Sequence, residues 1–287
     1  MFGLINLNKP AGLTSRDAVN RVQRLVRPVK VGHAGTLDPI ATGVLVLCLG
    51  PATRLIEHVQ RMPKRYRATF LLGRRSPSDD IELEPELIED APVPSRSEIE
   101  ETLPDFVGRL MQRPPAYSAI KVQGKKAYDL ARSGAAPDLP PRPVEIYSLE
   151  ILAYDYPKLV LDVRCGGGTY IRSLGRDLAE SLGTGAVMSE LERTEIGAFH
   201  APNGIDPDAI TPESLPEALL PARLAVADLP SLSLSAAEIE EVRHGRFLTR
   251  PDQPEGTELA ALDEEGDLVA LLKPREDGRL QPIRVFV

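Results

Sequence analysis

Eight consecutive residues, Gly32-His33-Ala34-Gly35-Thr36-Leu37-Asp38-Pro39, constrain this chain more than any other stretch. The two glycines let the backbone turn sharply and let a ligand come close. Pro39 fixes the exit and biases Asp38 away from helical geometry. The apolar run at residues 44–49, Val-Leu-Val-Leu-Cys-Leu, follows and reads as a fully buried strand. The chain thus predicts a carboxylate on a shaped loop that leads into the core, a common way to present a catalytic group. Taken alone, Asp38-Pro39 reads equally as an ordinary turn.

Thr14 reads as a helix N-cap with Asp17 as its capping-box partner. Val19, Val22, Leu25 and Val26 then share one face, and Pro28 ends the helix. Residues 66–72 read as a second strand. Residues 76–96 are acidic and carry prolines, so they read as an exposed loop. A short helix is predicted over 97–106. Residues 133–143, rich in proline, read as a mobile connection. Residues 144–154 and 159–165 read as paired strands, and 170–182 as a helix. A boundary is expected near residue 228. Beyond it, a helix over 236–244 and short strands at 258–262, 268–272 and 283–286 give the pattern of a small β-barrel. A chain of 287 residues has room for both parts.

No apolar stretch is long enough to span a bilayer, and no signal peptide is evident. Cys48 and Cys165 both sit in apolar runs, which predicts reduced core residues in a cytoplasmic protein. No Cys/His cluster has metal-ligand spacing, so no metal is expected. Net charge is −8, yet it is unevenly spread. Residues 1–75 hold thirteen Lys and Arg against three acids, while 79–105 hold eleven acids against Arg96 alone. A basic segment beside the candidate site can neutralise phosphates despite an acidic total.

Further blocks stand along the chain in order: Asn8-Lys9-Pro10, Lys64-Arg65-Tyr66-Arg67, Tyr117-Ser118-Ala119-Ile120-Lys121 and Gly168-Thr169-Tyr170-Ile171-Arg172. Together with the Asp38 loop they closely resemble the TruB family of tRNA pseudouridine-55 synthases. The resemblance covers nearly the whole chain. It implies an α+β fold, with a mixed, largely antiparallel central sheet flanked by helices. It divides the chain into a catalytic domain at 1–228, with a T-arm-clamping insertion at about 112–134, and a PUA-like RNA-binding module at 229–287. The chain departs from the family in carrying Ala34 where threonine is commoner and Gly167 where lysine or serine is often found. Asp80 stands where the family has an aspartate.

The implied reaction is isomerisation of uridine 55 in the tRNA T-loop. The N1–C1′ bond breaks, the base turns, and C5 joins C1′. No redox change occurs, so no cofactor is expected. Asp38 can attack C1′ or C6, or remove a proton from C2′. Arg172 is implied as its partner, binding the carboxylate through two parallel hydrogen bonds. Tyr66 is implied to stack on the target base, with its hydroxyl near C5. Tyr170, Leu191 and Lys9 are implied around the substrate, with Lys9 supporting either the substrate or the loop. His33 can act in acid–base chemistry or hold extruded nucleotides, and the family favours the latter.

Lys121, Lys125 and Lys126 are expected to meet phosphates, along with the basic first helix, Arg65 and Arg67. Arg243 and Arg246 are expected to give the C-terminal module its RNA contact. The uridine must be flipped out of the loop to react. The expected partner is the T-arm of tRNA, with no membrane, no obligate protein partner and a monomeric enzyme. Two rivals use the same residues. A non-catalytic RNA chaperone would not need Asp38. A nucleoside or glycoside hydrolase would need a second catalytic carboxylate in a specific motif.

Overall fold

The computed structural model describes residues 1–118, 120–122, 124–134, 137–250 and 256–287. Its centre is a nine-stranded mixed sheet. The main path runs Gly3–Lys9, Thr42–Leu49, Ala186–Ile196, Lys64–Leu72, Lys158–Cys165, Arg142–Asp155 and Gly108–Gln112. Neighbours along this path are antiparallel except Thr42–Leu49 beside Ala186–Ile196, which run parallel. The expected α+β architecture is therefore present.

The first helix, Ser15–Val26, starts on the Thr14–Asp17 capping box and buries Ala18, Val19, Val22 and Val26. The amphipathic spacing of these residues alone drives it onto the sheet. The helix Ile171–Ser181 likewise buries Ile171, Leu174, Leu178 and Ala179. Both helices bury apolar side chains in one cluster with Leu45, Leu47, Phe70 and Leu161 of the sheet.

One strand drew no expectation from the sequence, and one expectation needs correction. The strand Ala186–Ile196 sits in the middle of the sheet, although Glu190, Glu192 and Glu195 mask its alternation in the sequence. Residues 76–96 are not simply an exposed acidic loop. Ser78 is 1% and Asp80 0% exposed, and short strands Arg74–Arg75 and Glu86–Leu87 pair across the segment. Of the expected mobile connection at 133–143, residues 135 and 136 lie outside the described residues.

The C-terminal residues form a second, five-stranded sheet, Ser231–Ser233, Leu259–Leu262, Leu268–Pro274, Arg279–Val285 and Leu248–Thr249. The helix Ala236–Arg243 begins on a Ser235–Glu238 capping box. This sheet is not tethered by the chain alone. Ala260, Leu268, Leu271 and Phe286 share one buried cluster with Leu4, Val44, Val46 and Ala225. Phe286 stacks on Phe2 with ring centroids 5.2 Å apart, and Arg54 lies over the Phe286 ring and donates to the Val285 carbonyl. No helix among the described residues is long and apolar enough to cross a membrane.

Candidate active site

The Asp38 loop is braced from several sides. Gly35 turns the chain with φ of 111°, a left-handed value that glycine tolerates. Ser15 is buried at the start of the first helix. Its Oγ donates to the Leu37 carbonyl at 3.1 Å and accepts from the Leu37 amide at 2.8 Å. The amide of Gly12 donates to the Pro39 carbonyl at 2.8 Å, and that of Ala41 to the Asp38 carbonyl at 3.0 Å.

Lys9 is fully buried. Its Nζ donates to the carbonyls of Leu13 at 2.7 Å, Pro10 at 2.9 Å and Pro39 at 3.4 Å. Burial lowers its pKa to about 8, against the attraction of Asp38. Of the two roles expected for Lys9, the geometry fits support of the loop, because all three donors of an ammonium are used on backbone.

Arg172 is the first buried cation facing Asp38. Its Nε lies 3.1 Å from Asp38 Oδ2, and its Nη2 donates to Oδ1 at 3.3 Å. The planar guanidinium thus faces both oxygens of the carboxylate as a fork, one nitrogen through a hydrogen bond and the other as a close ion pair. The other edge is fixed as well. Nη1 donates to the Ser78 carbonyl at 2.8 Å and lies 3.2 Å from Asp80 Oδ2, and Nη2 donates to the Tyr117 carbonyl at 3.0 Å. Asp80 is itself held by the Ser78 hydroxyl at 2.5 Å and the Glu82 amide at 3.0 Å. Arg172 is thus locked between two carboxylates, and only Asp38 retains a partly exposed side chain, 31% against 1% for Asp80. Burial pushes the Asp38 carboxyl above the ordinary aspartate range, and Asp80 adds to the rise, while Arg172, Lys9 and Arg193 oppose it.

Tyr66 is 6% exposed and lies on the buried side of its strand. It shares the apolar cluster with Leu37 and with Leu191, which is 8% exposed. Leu37 precedes Asp38 in the loop, and the Asp38 charge is close enough to Tyr66 to help push its phenol pKa up, behind the larger effect of burial. Tyr170 caps the helix that carries Arg172 without using its own side chain. Its peptide is gripped by buried Gln112, whose Nε2 donates to the Tyr170 carbonyl at 3.0 Å and whose Oε1 accepts from the Tyr170 amide at 2.8 Å. Arg142 covers the Tyr170 ring at 4.9 Å from its centroid. His33 is half-buried, and burial, with Arg193 and Arg16 nearby, pushes its pKa down despite a backbone hydrogen bond at Gly35. A neutral imidazole suits contact with nucleotides better than donation of a proton.

The expected phosphate cations are less uniform. Arg65 is committed to Asp162 at 2.9 Å and Glu195 at 3.6 Å, whereas Arg67 stays exposed. In the first helix, Arg21 pairs with Asp208 at 2.5 Å. Arg243 and Arg246 are exposed and meet Glu240 at 2.7 Å and Glu241 at 2.9 Å. The backbones of Lys121–Val122 and Lys125–Lys126 pair as a small hairpin. The side chains of Lys121, Lys125 and Lys126 lie outside the described residues.

Sequence reasoning missed Arg193. It stands in Leu191-Glu192-Arg193-Thr194, where only Leu191 drew notice, and is 2% exposed. Gln112 was noticed only as the start of the insertion. Neither side chain carries a local signal, because each acts on backbone that is distant in sequence.

A model of the N-terminal domain of TruB family pseudouridylate synthases matches residues 23–171, and one described as tRNA pseudouridine synthase II, C terminal, matches 229–287. Two relatives named tRNA pseudouridine synthase B are from Dehalococcoides mccartyi and a Synechocystis species. They are 40% and 41% identical to this chain, cover 100% and 97% of it, and are each covered over 97% of their own length. Two solved structures are also similar. An H/ACA RNP bound to a substrate RNA containing 2′-deoxyuridine gives a TM-score of 0.75 at 27% identity, over 100% of this chain and 85% of that one. A Cbf5–Nop10–Gar1 complex gives 0.74 at 29%, over 100% and 84%. Fold and site together define a pseudouridine synthase. Within that class, the chain belongs to the TruB family.

Proposed function

We propose that this protein converts uridine 55 in the T-loop of tRNA to pseudouridine, as a monomer and without a cofactor. The observation that carries the reading is the Asp38–Arg172 fork, with Asp38 the partly exposed carboxylate of the pair that Arg172 binds. The names of the relatives at 40% identity point to tRNA as the substrate. The uridine is flipped out of the T-loop, which costs a few kcal/mol of unstacking. Stacking on Tyr66 and contacts to phosphates offset that cost.

Asp38 then acts at the sugar or the base as nucleophile or as base, with Arg172 holding it ionised and aimed. Tyr170 and Leu191 wall the pocket, and His33 holds the extruded nucleotides. Lys121, Lys125 and Lys126 at the insertion, with Arg67, meet the T-arm backbone. The tail, through Arg243 and Arg246, adds a smaller contact of its own, since both arginines already share their charge with glutamates.

Unmodified tRNA incubated with the protein and mapped for pseudouridine tests this directly. Conversion at position 55 is expected. Asp38→Asn, which keeps the shape but is neither nucleophile nor base, should abolish conversion and leave tRNA binding largely intact. Conversion at another uridine would move the substrate assignment. Binding without conversion by the wild type would favour an RNA chaperone.

A further inference from the structure

The helix Ile171–Ser181 carries a second arginine that the reaction described so far does not use. Arg176 stands four residues beyond Arg172, and residues so spaced share one face of a helix. Its Nη1 donates to Asp79 Oδ2 at 2.8 Å, and its Nη2 to the Arg113 carbonyl at 3.0 Å. Nε and Nη2 also donate to Oδ1 of Asp177, its neighbour in the helix, at 2.9 and 2.8 Å. The Arg176 side chain is 20% exposed and that of Asp79 14%, so this pair is largely withdrawn from water.

The partners outside the helix are the informative ones. Arg172 meets the Ser78 carbonyl and Asp80 on one segment, and the Tyr117 carbonyl on another. Arg176 meets Asp79 on the first of these and Arg113 on the second. Two arginines one turn apart thus bridge the same two segments. Residues 113–117 belong to no helix or strand, and Pro114 and Pro115 have no amide hydrogen to donate. They lead from the Gln112 end of its strand into the insertion, so their place depends on what grips them from outside. Asp79 has a φ of 59°, a left-handed value that aspartate keeps only where its surroundings hold it. Its carbonyl accepts from the Met188 amide at 3.0 Å on one side, and its carboxylate faces Arg176 on the other. Arg176 therefore ties together the segments whose carbonyls and carboxylate aim Arg172 at Asp38.

We propose that Arg176 is a positioning residue for Arg172. By bridging Asp79 to the Arg113 carbonyl it holds both walls of the Arg172 cradle at the spacing that keeps the guanidinium on Asp38. The inference rests on the pseudouridine-forming reading above for its effect on rate, and on geometry alone for its effect on Arg172.

The test uses the full chain labelled with ¹⁵Nε-arginine, in wild type, Arg176→Met, Asp79→Asn and Arg172→Lys. Arg172→Lys identifies the Arg172 Nε–H resonance by its loss. That resonance should move in both Arg176→Met and Asp79→Asn. Asparagine accepts the left-handed backbone at position 79. Asp79→Asn thus removes the charge without opposing the turn, and it carries every readout if the methionine variant does not fold. In parallel, single-turnover conversion of tRNA should slow on the order of 10-fold, because small misplacements near the reacting atoms are costly. The tRNA Kd should stay within about threefold, the pattern of an interaction used in chemistry rather than in binding. In an Arg172→Lys background the same substitution should cost less than about threefold, because residues that act through one another are not additive. A role in stability alone would leave the full loss in that background. An unmoved Arg172 resonance, an unchanged rate, a loss confined to Kd, or a loss undiminished beside Arg172→Lys would overturn the proposal. If the wild type forms no pseudouridine, the functional reading falls instead, and the resonance decides whether Arg176 positions Arg172.

Discussion

Arg172 donates three hydrogen bonds and makes two further ion-pair contacts, to Asp38 Oδ2 and Asp80 Oδ2, and each restricts where its fork can point. Lysine would keep the charge and lose the planar pair of donors. Arg172→Lys is therefore expected to lower single-turnover conversion on the order of 10²-fold, by analogy with other preorganised charge contacts. Near-normal kinetics would separate Arg172 from Asp38 in function. Asp80 acts one step further back. It fixes Arg172, and its negative charge also raises the Asp38 pKa. Because Asp38 must be ionised, the rate should fall with falling pH along a limb above the ordinary aspartate value of about 3.9. Asp80→Asn removes the charge that raises Asp38, so the limb should move to lower pH while the maximal rate drops. A pH–rate profile checks both, and an unmoved limb would show that burial alone sets Asp38. Asp38 and Arg172 were legible in the sequence because compact motifs carry them. Asp80 was legible as a position, but its burial was hidden in an acidic, proline-bearing run that looks like a solvated loop. Arg193 was opaque, and of Lys9 the position but not the burial was legible, for a common reason. Long cations are usually exposed, and only the fold shows that backbone carbonyls surround these two.

The elements legible in the sequence were those with local signals. The first helix announced itself by its capping box, and the strand Thr42–Leu49 by its unbroken apolar run. Ala186–Ile196 escaped, because a strand between two neighbours is defined by partners far away in sequence, and its glutamates break the pattern. The helix that carries Arg172 shows how tightly elements set the site. At Gly175 it meets Phe70 of Lys64–Leu72, and an added Cβ would lie 2.0 Å from the ring. That ring is 1% exposed and has no room to retreat. Gly175→Ala should therefore destabilise the fold by about 1–3 kcal/mol, the usual cost of overpacking. It should also slow conversion by lifting the helix and Arg172 off the sheet. Denaturant unfolding together with single-turnover rates tests this. A stable variant with a normal rate would show that helix and sheet can part without disturbing the site.

Across the whole molecule, the charge asymmetry places cations near the loop, yet Arg65 and Arg21 spend theirs on Asp162 and Asp208. Counting charges along a sequence overstates what RNA can meet, because ion pairs form between segments. The tail offers a second lesson. Turn residues and short strands revealed its sheet in the sequence, but nothing local showed that Leu268, Leu271 and Phe286 would pack into a cluster with Leu4 and Val44. Removing residues 229–287 should therefore lower the melting temperature of what remains, besides weakening tRNA binding. A truncated chain that melts at the full-length temperature would show that this packing contributes nothing. The ring of Phe286 on Phe2 joins the last residues of the chain to the first. Heat should accordingly find no weak seam to open first, and calorimetry should record one cooperative transition with matching calorimetric and van't Hoff enthalpies. On that view the tail behaves less like a detachable accessory than like the closing clasp of a bracelet.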